Sequence, residues 1–274
     1  MAELLLQQLQ ETATYIQSQY AHQPSVAIVL GSGLGNLVNE IHIEKEILYS
    51  DIPHFPQSTV QGHSGKMIFG KLNGKTVLVM AGRFHFYEGY TPQQVSYPVR
   101  VMKQLGVQTL LLSNAAGAVN SSYKVGDLMI ITDHISFFTI NPLIGKNEDA
   151  LGTRFPDMSE PYSKKLIAKA KEIGAQYGYH LHQGVYVAVT GPTFETHAEY
   201  WLIKAIGGDV VGMSTVQEVI VARHSGMDIF AVSVVTDLGI REDDNVITHE
   251  EVLAAAGEAE PKLTNLFKEM VRIL

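Results

Sequence analysis

Four side chains suited to binding an anion and moving a proton lie within residues 82–90, the sequence GRFHFYEGY. Arg83 offers a planar fork of donors to phosphate oxygens, and His85 adds a second donor. Alternation along an extended segment would place Arg83, His85 and Tyr87 on one side, with the carboxylate of Glu88 near enough to hold the imidazole. A solvated loop with one ion pair is the alternative interpretation. Crowding of donors directly after a strand favours the anion site.

A glycine-rich turn, GSGLG at residues 31–35, follows a predicted strand and opens a predicted helix. Glycines there let backbone N–H groups approach an anion. A phosphate site, a plain tight turn and a dinucleotide site are all compatible with this segment alone. The dinucleotide fingerprint G-x-G-x-x-G is not met, because Asn36 stands where its last glycine is required.

Two predicted helices begin with a capping box, in which a threonine and a glutamate three residues later satisfy each other's backbone N–H groups. The pairs are Thr196 with Glu199 and Thr215 with Glu218. Ser214, directly ahead of the second box, faces a helix N-terminus, and that position favours an anion. Both boxes would serve equally well as simple helix caps.

Two other segments resemble motifs without meeting their spacing. GKLNGKT, residues 70–76, has three residues between its glycines where a phosphate-binding P-loop needs four, and Asn73-Gly74 between apolar runs predicts a β-hairpin. His249 does not open a zinc helix, because Leu253 lies where the second histidine would be. The remaining histidines are scattered, so the sequence predicts no metal site.

The composition excludes several classes of protein. The 20 basic and 28 acidic residues give a formal net charge of −8, which disfavours a nucleic-acid partner. The chain has no cysteine, so disulfides, thiolate metal sites and a cysteine nucleophile are excluded. The amphipathic N-terminus carries Glu3 where a secretory signal would be basic, and no apolar run approaches the roughly 18 residues of a membrane span. We therefore expect a cytoplasmic protein with no membrane partner.

Short aliphatic runs alternate with segments of helical period along the whole chain. Strands are predicted at residues 26–30, 76–80, 109–113, 128–132, 185–189, 209–213 and 229–235, and helices at the N-terminus, from Ser159 to Gly178 and from Thr248 onward. Residues 138–158 lack any period and are predicted to form a long irregular loop. The pattern predicts an α/β fold, a single domain over residues 1–274 with a central mixed β-sheet flanked by helices. Ligands bind where the strands of such sheets end.

The motifs GSGLG, STVQGHSG, GRFHFYEGY, NAAG, RFPDMS, GPTFET, VVGMSTVQEVIVARH and THEEVL occur in this order between about Leu30 and Leu253. Together they resemble the trimeric class of purine nucleoside phosphorylases. Such enzymes cleave the N-glycosidic bond of a purine ribonucleoside or deoxyribonucleoside with inorganic phosphate, giving free base and the sugar 1-phosphate. The resemblance implies this fold and activity, phosphate as co-substrate, no metal or other cofactor, and a homotrimer.

The resemblance also implies which residues form the site. Phosphate would be held by Ser32, His63, Arg83, His85, the backbone at Ala115, and Ser214. The nucleoside would be bound by Tyr87, Phe194, Glu195, Val211, Met213, Asp237 and His249, with Phe155 reaching in from a neighbouring subunit. The expected catalytic side chains are His85, Glu88, Glu195 and Asp237.

Asp237 departs from the family pattern, in which members that prefer 6-oxopurines carry asparagine here. An ionised aspartate only accepts hydrogen bonds, so it repels O6 and suits a 6-amino group, whereas a protonated one would donate to N7. Glu195 favours a 6-oxopurine, because its carboxylate would accept a hydrogen bond from N1–H of that base. Adenine N1 is itself an acceptor, so an ionised Glu195 facing it would be left unpaired. We therefore expect inosine and guanosine as substrates, with adenosine activity that depends on pH.

Three other functions remain as alternatives. A 5′-methylthioadenosine phosphorylase shares the fold and often has TD at this point, but the retained GRFHFYEGY and FET, with His249 available for a 5′-hydroxyl, favour the nucleoside enzyme. A dinucleotide-dependent oxidoreductase is disfavoured by Asn36. A catalytically silent nucleoside-binding protein would bind ligand without turnover.

Overall fold

The computed structural model describes residues 2–59, 64–240 and 247–274. In these ranges nine strands form one mixed sheet: β1 Val26–Val29, β2 His42–Leu48, β3 Lys66–Leu72, β4 Lys75–Ala81, β5 Thr109–Ala118, β6 Leu128–Ile135, β7 Leu181–Ala188, β8 Val210–Gly212 and β9 Asp228–Leu238. Their order is β2-β3-β4-β1-β5-β8-β7-β6-β9, and β9 also pairs with β5. The last five strands of this order therefore close into a ring.

Six α-helices flank the sheet in the described ranges: α1 Ala2–Gln19, α2 Pro92–Gln104, α3 Lys164–Tyr177, α4 His197–Ala205, α5 Val216–His224 and α6 His249–Ile273. Leu9, Ala13 and Ile16 form the buried stripe of α1, as the helical spacing predicts. None of the helices in the described ranges is long and apolar enough to cross a membrane.

All seven predicted strands are present, with shifted ends. The predicted hairpin is confirmed: β3 and β4 pair antiparallel, and Asn73 and Gly74 adopt left-handed backbone angles with φ of 48° and 78°. Strand β2 is missed, because HIEKEIL is largely exposed at the edge of the sheet and its charged residues hide the alternation. The predicted irregular loop 138–158 contains only a short 3₁₀ turn at Asp149–Leu151.

The predicted start of α3 is wrong. Ser159 does not cap the helix, because its backbone N–H and hydroxyl both donate to the carboxylate of Asp157 at 3.0 and 2.7 Å. The helix instead begins after Ser163 and ends at Gly178, whose φ of 68° terminates it as the sequence predicts. The predicted start of α6 is confirmed, since Thr248 and Glu251 form a capping box.

Candidate active site

A cavity of about 360 Å³ opens where β1, β4, β8 and β9 end, beside the second half of β5. This is the sheet edge at which the sequence predicts a site. The predicted residues that line the cavity are Ser32, Arg83, His85, Tyr87, Ala115, Phe194, Glu195, Val211, Met213, Ser214, Asp237 and His249. It also contains residues to which the sequence alone assigns no role, although all but Thr236 lie within its motifs: Asn114, Ala116, Gly117, Pro192, Gly212, Thr236 and Val252.

Arg83 is the buried cation of this cavity, with only 1% of the residue exposed. Its Nη1 donates to the carbonyl of Ser113 at 2.6 Å and lies 3.4 Å from the Ser214 hydroxyl oxygen. Its Nη2 lies 3.1 Å from Oε2 of Glu218, which is also buried. The carboxylate and the carbonyl fix the guanidinium in place, so that it reaches the cavity beside Ser214.

The predicted capping box at Thr215 and Glu218 is wrong. Thr215 has a φ of 73°, and its side chain does not cap α5. The hydroxyl instead accepts from Nδ2 of Asn114 at 2.9 Å and lies 3.1 Å from the Ser214 hydroxyl. A positive φ is unfavourable for a β-branched residue. This backbone strain at the start of α5 turns Thr215 towards Asn114 and leaves Glu218 to pair with arginine.

The GSGLG turn lies against β5, and the contact requires glycine. A Cβ on Gly31 would lie 2.8 Å from the carbonyl oxygen of Ser113 and 2.9 Å from Cα of Asn114. The backbone N–H of Gly31 also donates to the Ser113 hydroxyl at 3.2 Å. This close approach brings Ser32 into the same cavity wall as Ala115.

The His85 imidazole is hydrogen-bonded to the Glu88 carboxylate and stacks on the Tyr87 ring. Its Nδ1 lies 2.9 Å from the Glu88 carboxylate, and the His85 and Tyr87 ring centroids are 4.6 Å apart. Burial lowers the pKa of His85, although the Glu88 carboxylate opposes this shift. Glu88 itself does not line the cavity. Its place in the structure is to orient the imidazole, as the sequence suggests.

Glu88 gives a testable pH dependence. Burial opposes its ionisation, but hydrogen bonds from His85 and Thr59 lower the pKa of Glu88 from 4.5 to about 2. Ionised Glu88 therefore stabilises the folded protein at pH values above 4.5, the pKa of the carboxyl in the unfolded chain. This stabilisation is lost as the pH falls through about 2, the pKa in the folded protein. Because Glu88 is only partly buried, solvent screening reduces the effect of this shift, and we expect Glu88→Gln to lower the free energy of unfolding by about 2 kcal/mol at pH 7 in urea titrations.

The deficit of Glu88→Gln should shrink steadily below about pH 4.5. The matched control is Glu46→Gln, which removes the carboxylate of the exposed pair with Lys66. It should change stability by less than about 1 kcal/mol at any pH. A deficit for Glu88→Gln that does not change with pH would contradict the lowered pKa.

The part of the cavity predicted to bind the purine base contains two carboxylates, Glu195 and Asp237. Burial raises the pKa of Glu195, and the charges of Asp237 and Glu199 raise it further. The Thr236 hydroxyl donates to Oδ1 of Asp237 at 3.1 Å. A Cβ on Gly117 would lie 2.6 Å from Oδ2 of Asp237, so glycine there makes room for the carboxylate. Two acidic groups that influence each other's charge therefore share this part of the cavity.

The remaining predicted site residues are Phe155 and His63. Phe155 is 84% exposed and does not line the cavity of its own chain, and the Arg154 guanidinium lies 5.4 Å from the centre of its ring. His63 lies outside the described residues. In the described part of the chain, no group of three His, Asp or Glu side chains is arranged to hold a metal ion.

The chain matches the family model of the phosphorylase superfamily over residues 25–272. Purine nucleoside phosphorylase 1 of Geobacillus stearothermophilus is 49% identical over 264 residues, which cover 96% of each chain. The crystal structure of a schistosoma purine nucleoside phosphorylase in complex with hypoxanthine is 43% identical, with a TM-score of 0.92 over 97% of this chain and 96% of that one. The Schistosoma mansoni enzyme in complex with adenosine is 44% identical, with the same TM-score and coverage.

These relationships fix the class of protein that the fold and cavity define. The chain belongs to the phosphorylase superfamily and, within it, to the purine nucleoside phosphorylases. The resemblance that the motifs carry is confirmed, and so is the α/β fold with a mixed sheet flanked by helices. The dinucleotide-dependent oxidoreductase is thereby set aside.

Proposed function

We propose that this protein catalyses the reversible phosphorolysis of purine nucleosides, with inorganic phosphate as co-substrate and free purine and sugar 1-phosphate as products. One observation carries the proposal. The buried guanidinium of Arg83 beside Ser214 and the two carboxylates Glu195 and Asp237 line a single cavity. An anion-binding group and a purine-binding group are what the two substrates require.

The reaction needs a stabilised leaving group and a well-placed nucleophile. Phosphate, held by Arg83, Ser214 and Ser32, stabilises the positive charge that develops at C1′ as the bond to N9 lengthens. A phosphate oxygen then forms the new bond to C1′, and the electron pair of the broken bond passes to the purine ring. Glu195 accepts from N1–H of a 6-oxopurine. Asp237 donates to N7, where negative charge develops, when it is protonated, and it accepts from a 6-amino group when it is ionised.

His85 enters this scheme as a hydrogen-bond acceptor. A neutral imidazole that donates its Nδ1–H to Glu88 presents the lone pair of Nε2. Burial lowers the pKa of His85 and so favours the neutral ring. Nε2 then accepts from the hydroxyl of monohydrogen phosphate or of the sugar, which differs from the donor role expected from the sequence.

Inosine and guanosine are the proposed substrates, with adenosine used in a pH-dependent manner. Ionised Glu195 suits N1–H of a 6-oxopurine, and Asp237 suits a 6-amino group. Among the relatives, one solved structure is in complex with hypoxanthine and another with adenosine. The proposal also places the enzyme in the cytoplasm and gives it no metal or other cofactor.

The test is phosphate-dependent release of free base from inosine and adenosine, measured side by side across about pH 5 to 9, the range in which a carboxyl of raised pKa titrates. Inosine turnover that requires phosphate supports the proposal. Turnover of 5′-methylthioadenosine in place of both nucleosides would favour the related phosphorylase. Binding of nucleoside with no turnover would identify a silent binding protein.

We further propose that the enzyme works as a homotrimer in which Phe155 completes a neighbouring site. The support is that an aromatic ring on the irregular loop is 84% exposed and contributes nothing to its own cavity. Phe138, Ile140 and Ile144 of the same loop are exposed as well. An exposed apolar surface that extends beyond a single side chain is typical of an interface.

Complementation tests this arrangement. Phe155→Ala and Glu195→Ala subunits should each lose activity, because one lacks the residue given to a neighbour and the other lacks its own carboxylate. Mixed, unfolded and refolded together, they should recover activity above either variant alone, because some sites combine an intact cavity with an intact neighbour. A mixture no more active than the sum of its parts would contradict the proposal, and mixing each variant with itself is the control.

A further inference from the structure

A buried carboxylate in the middle of α6, Glu260, has no part in the proposed reaction. The residue is 3% exposed. One carboxylate oxygen accepts from the backbone N–H of Asn36 and the other accepts from its side-chain amide, across 224 residues of chain. Burial raises the pKa of Glu260, and the two hydrogen bonds from Asn36 oppose the shift. A buried carboxylate held by two donors of one residue fixes that residue's position.

Asn36 lies directly after the GSGLG turn and begins the 3₁₀ helix Asn36–Glu40. The preceding residue, Gly35, offers no side chain to accept from the first N–H groups of this helix. Glu260 therefore supplies from a distant helix the acceptor that the local sequence lacks. The asparagine that breaks the dinucleotide fingerprint has a structural use here.

The turn and α6 also touch directly. Gly33 has a φ of 73°, and a Cβ built on it would lie 2.9 Å from Cβ of Ala256 and 3.2 Å from the carbonyl oxygen of Leu253. Leu253, Ala256 and Glu260 recur at helical spacing and lie on one face of α6. His249 and Val252, which lie one to two turns before Ala256 on this helix, line the cavity. One helix face thus contacts both the turn that carries Ser32 and the cavity itself.

We propose that Glu260 is a positioning residue for phosphate binding: by holding Asn36, it fixes the GSGLG turn against α6 and keeps Ser32 at its place in the cavity. The inference rests on the proposed function, because it takes phosphate as the ligand of Ser32. Helix α6 itself stays in place through its buried apolar residues, such as Leu266 and Phe267. Loss of the Glu260 contact should therefore displace the turn rather than the helix.

The chain offers a matched control, because a second side-chain contact joins α6 to the 3₁₀ helix Asn36–Glu40. Lys268 of α6 pairs with Glu40 at the far end of the 3₁₀ helix, and both side chains are partly exposed. Lys268→Gln removes this ion pair without touching the turn. Glu260→Met removes both acceptors at nearly constant size. Glu260→Gln is the conservative variant, because its amide can still accept from the backbone N–H and, after rotation of the Asn36 amide, donate to that residue.

The experiment measures KM for phosphate and for inosine separately, together with the rise in Tm that inorganic phosphate produces. We expect Glu260→Met to raise KM for phosphate roughly five- to tenfold, within the range for the loss of one ordinary hydrogen bond, and to reduce the phosphate-induced rise in Tm. KM for inosine should change less than about twofold, because Glu195 and Asp237 lie on other elements. Glu260→Gln and Lys268→Gln should resemble the wild type in both KM values.

A purely structural role for Glu260 would lower Tm without phosphate and leave KM for phosphate unchanged, and this result overturns the inference. If Glu260→Met does not fold, Asn36→Ala keeps the backbone hydrogen bond to Glu260 and removes the side-chain one, together with a 3.5 Å contact from the Asn39 amide, at an exposed position. It should raise KM for phosphate about two- to threefold, and an unchanged value overturns the inference. A wild type that binds phosphate but releases no base would overturn the proposed function instead, and the phosphate-induced Tm shifts would still test the role of Glu260.

Discussion

Replacing Glu218 by alanine is expected to lower the free energy of unfolding by about 3–5 kcal/mol. The change leaves the Arg83 charge buried beside the Ser113 carbonyl and the Ser214 hydroxyl, without the carboxylate that pairs with it. Breaking a buried ion pair costs more than the pair itself contributes, because the remaining charge keeps its full desolvation penalty. Urea titration of the two proteins measures this difference.

Phosphate should restore part of the loss. Because the bound anion would supply the negative charge that Glu218 had supplied, saturating phosphate should stabilise Glu218→Ala more than it stabilises the wild type. Glu172→Ala is the control, since it breaks the exposed pair with Lys169 and should cost less than about 1 kcal/mol. Equal stabilisation of both proteins by phosphate would show that Arg83 does not contact the anion.

Replacing Asp237 by asparagine is expected to lower the ratio of kcat/KM for adenosine to kcat/KM for inosine by at least about tenfold. Asparagine donates to both N7 and O6 of hypoxanthine, whereas the aspartate it replaces can accept from a 6-amino group. Initial rates with each nucleoside at saturating phosphate measure the ratio.

The same ratio should depend on pH in the wild type. Burial raises the pKa of Glu195 first, with the charges of Asp237 and Glu199 adding to the shift. Above that pKa the ionised carboxylate accepts from N1–H of inosine, and below it the protonated group donates to N1 of adenosine. The ratio of adenosine to inosine turnover should therefore rise as the pH falls.

In Asp237→Asn one cause of the raised pKa of Glu195 is removed. The pH at which the ratio of adenosine to inosine turnover changes should therefore be lower than in the wild type. Glu199→Gln is the matched control. Its amide can still accept in the capping box of α4, and the variant removes a charge that does not line the cavity. Glu199→Gln should slightly shift the pH at which this ratio changes, and it should leave the ratio at high pH as in the wild type. Identical pH profiles for inosine and adenosine in the wild type would contradict the assigned role of Glu195.

The sequence predicts the parts of the site whose information is local. The aliphatic runs before GSGLG, GRFH and GMS lie in strands that end at one cavity, and the spacing of His85 and Glu88 places the carboxylate against the imidazole. Likewise Asn73-Gly74 determines its hairpin without help from the rest of the chain. These features depend on residues close in sequence, and their physical signals are strong.

The parts that could not be predicted depend on distant residues or on backbone strain. Thr196 and Thr215 head the same capping pattern, yet only the first caps its helix. Thr215 has a positive φ and its hydroxyl accepts from Asn114, 101 residues earlier in the chain, so spacing cannot reveal that Glu218 pairs with Arg83. Similarly, nothing near Asn36 indicates a partner 224 residues away.

The closed ring of strands has a consequence for how the protein behaves at high concentration. Because β9 pairs on both sides, β2 is the strand that leaves a sheet edge open among the described residues. An open edge is a template for pairing with another chain, which leads to aggregation. HIEKEIL carries Glu44, Lys45 and Glu46, and its pairing with β3 is interrupted by a register shift between Ile43 and Lys45. Charge and irregularity at this edge protect the fold against intermolecular sheet growth.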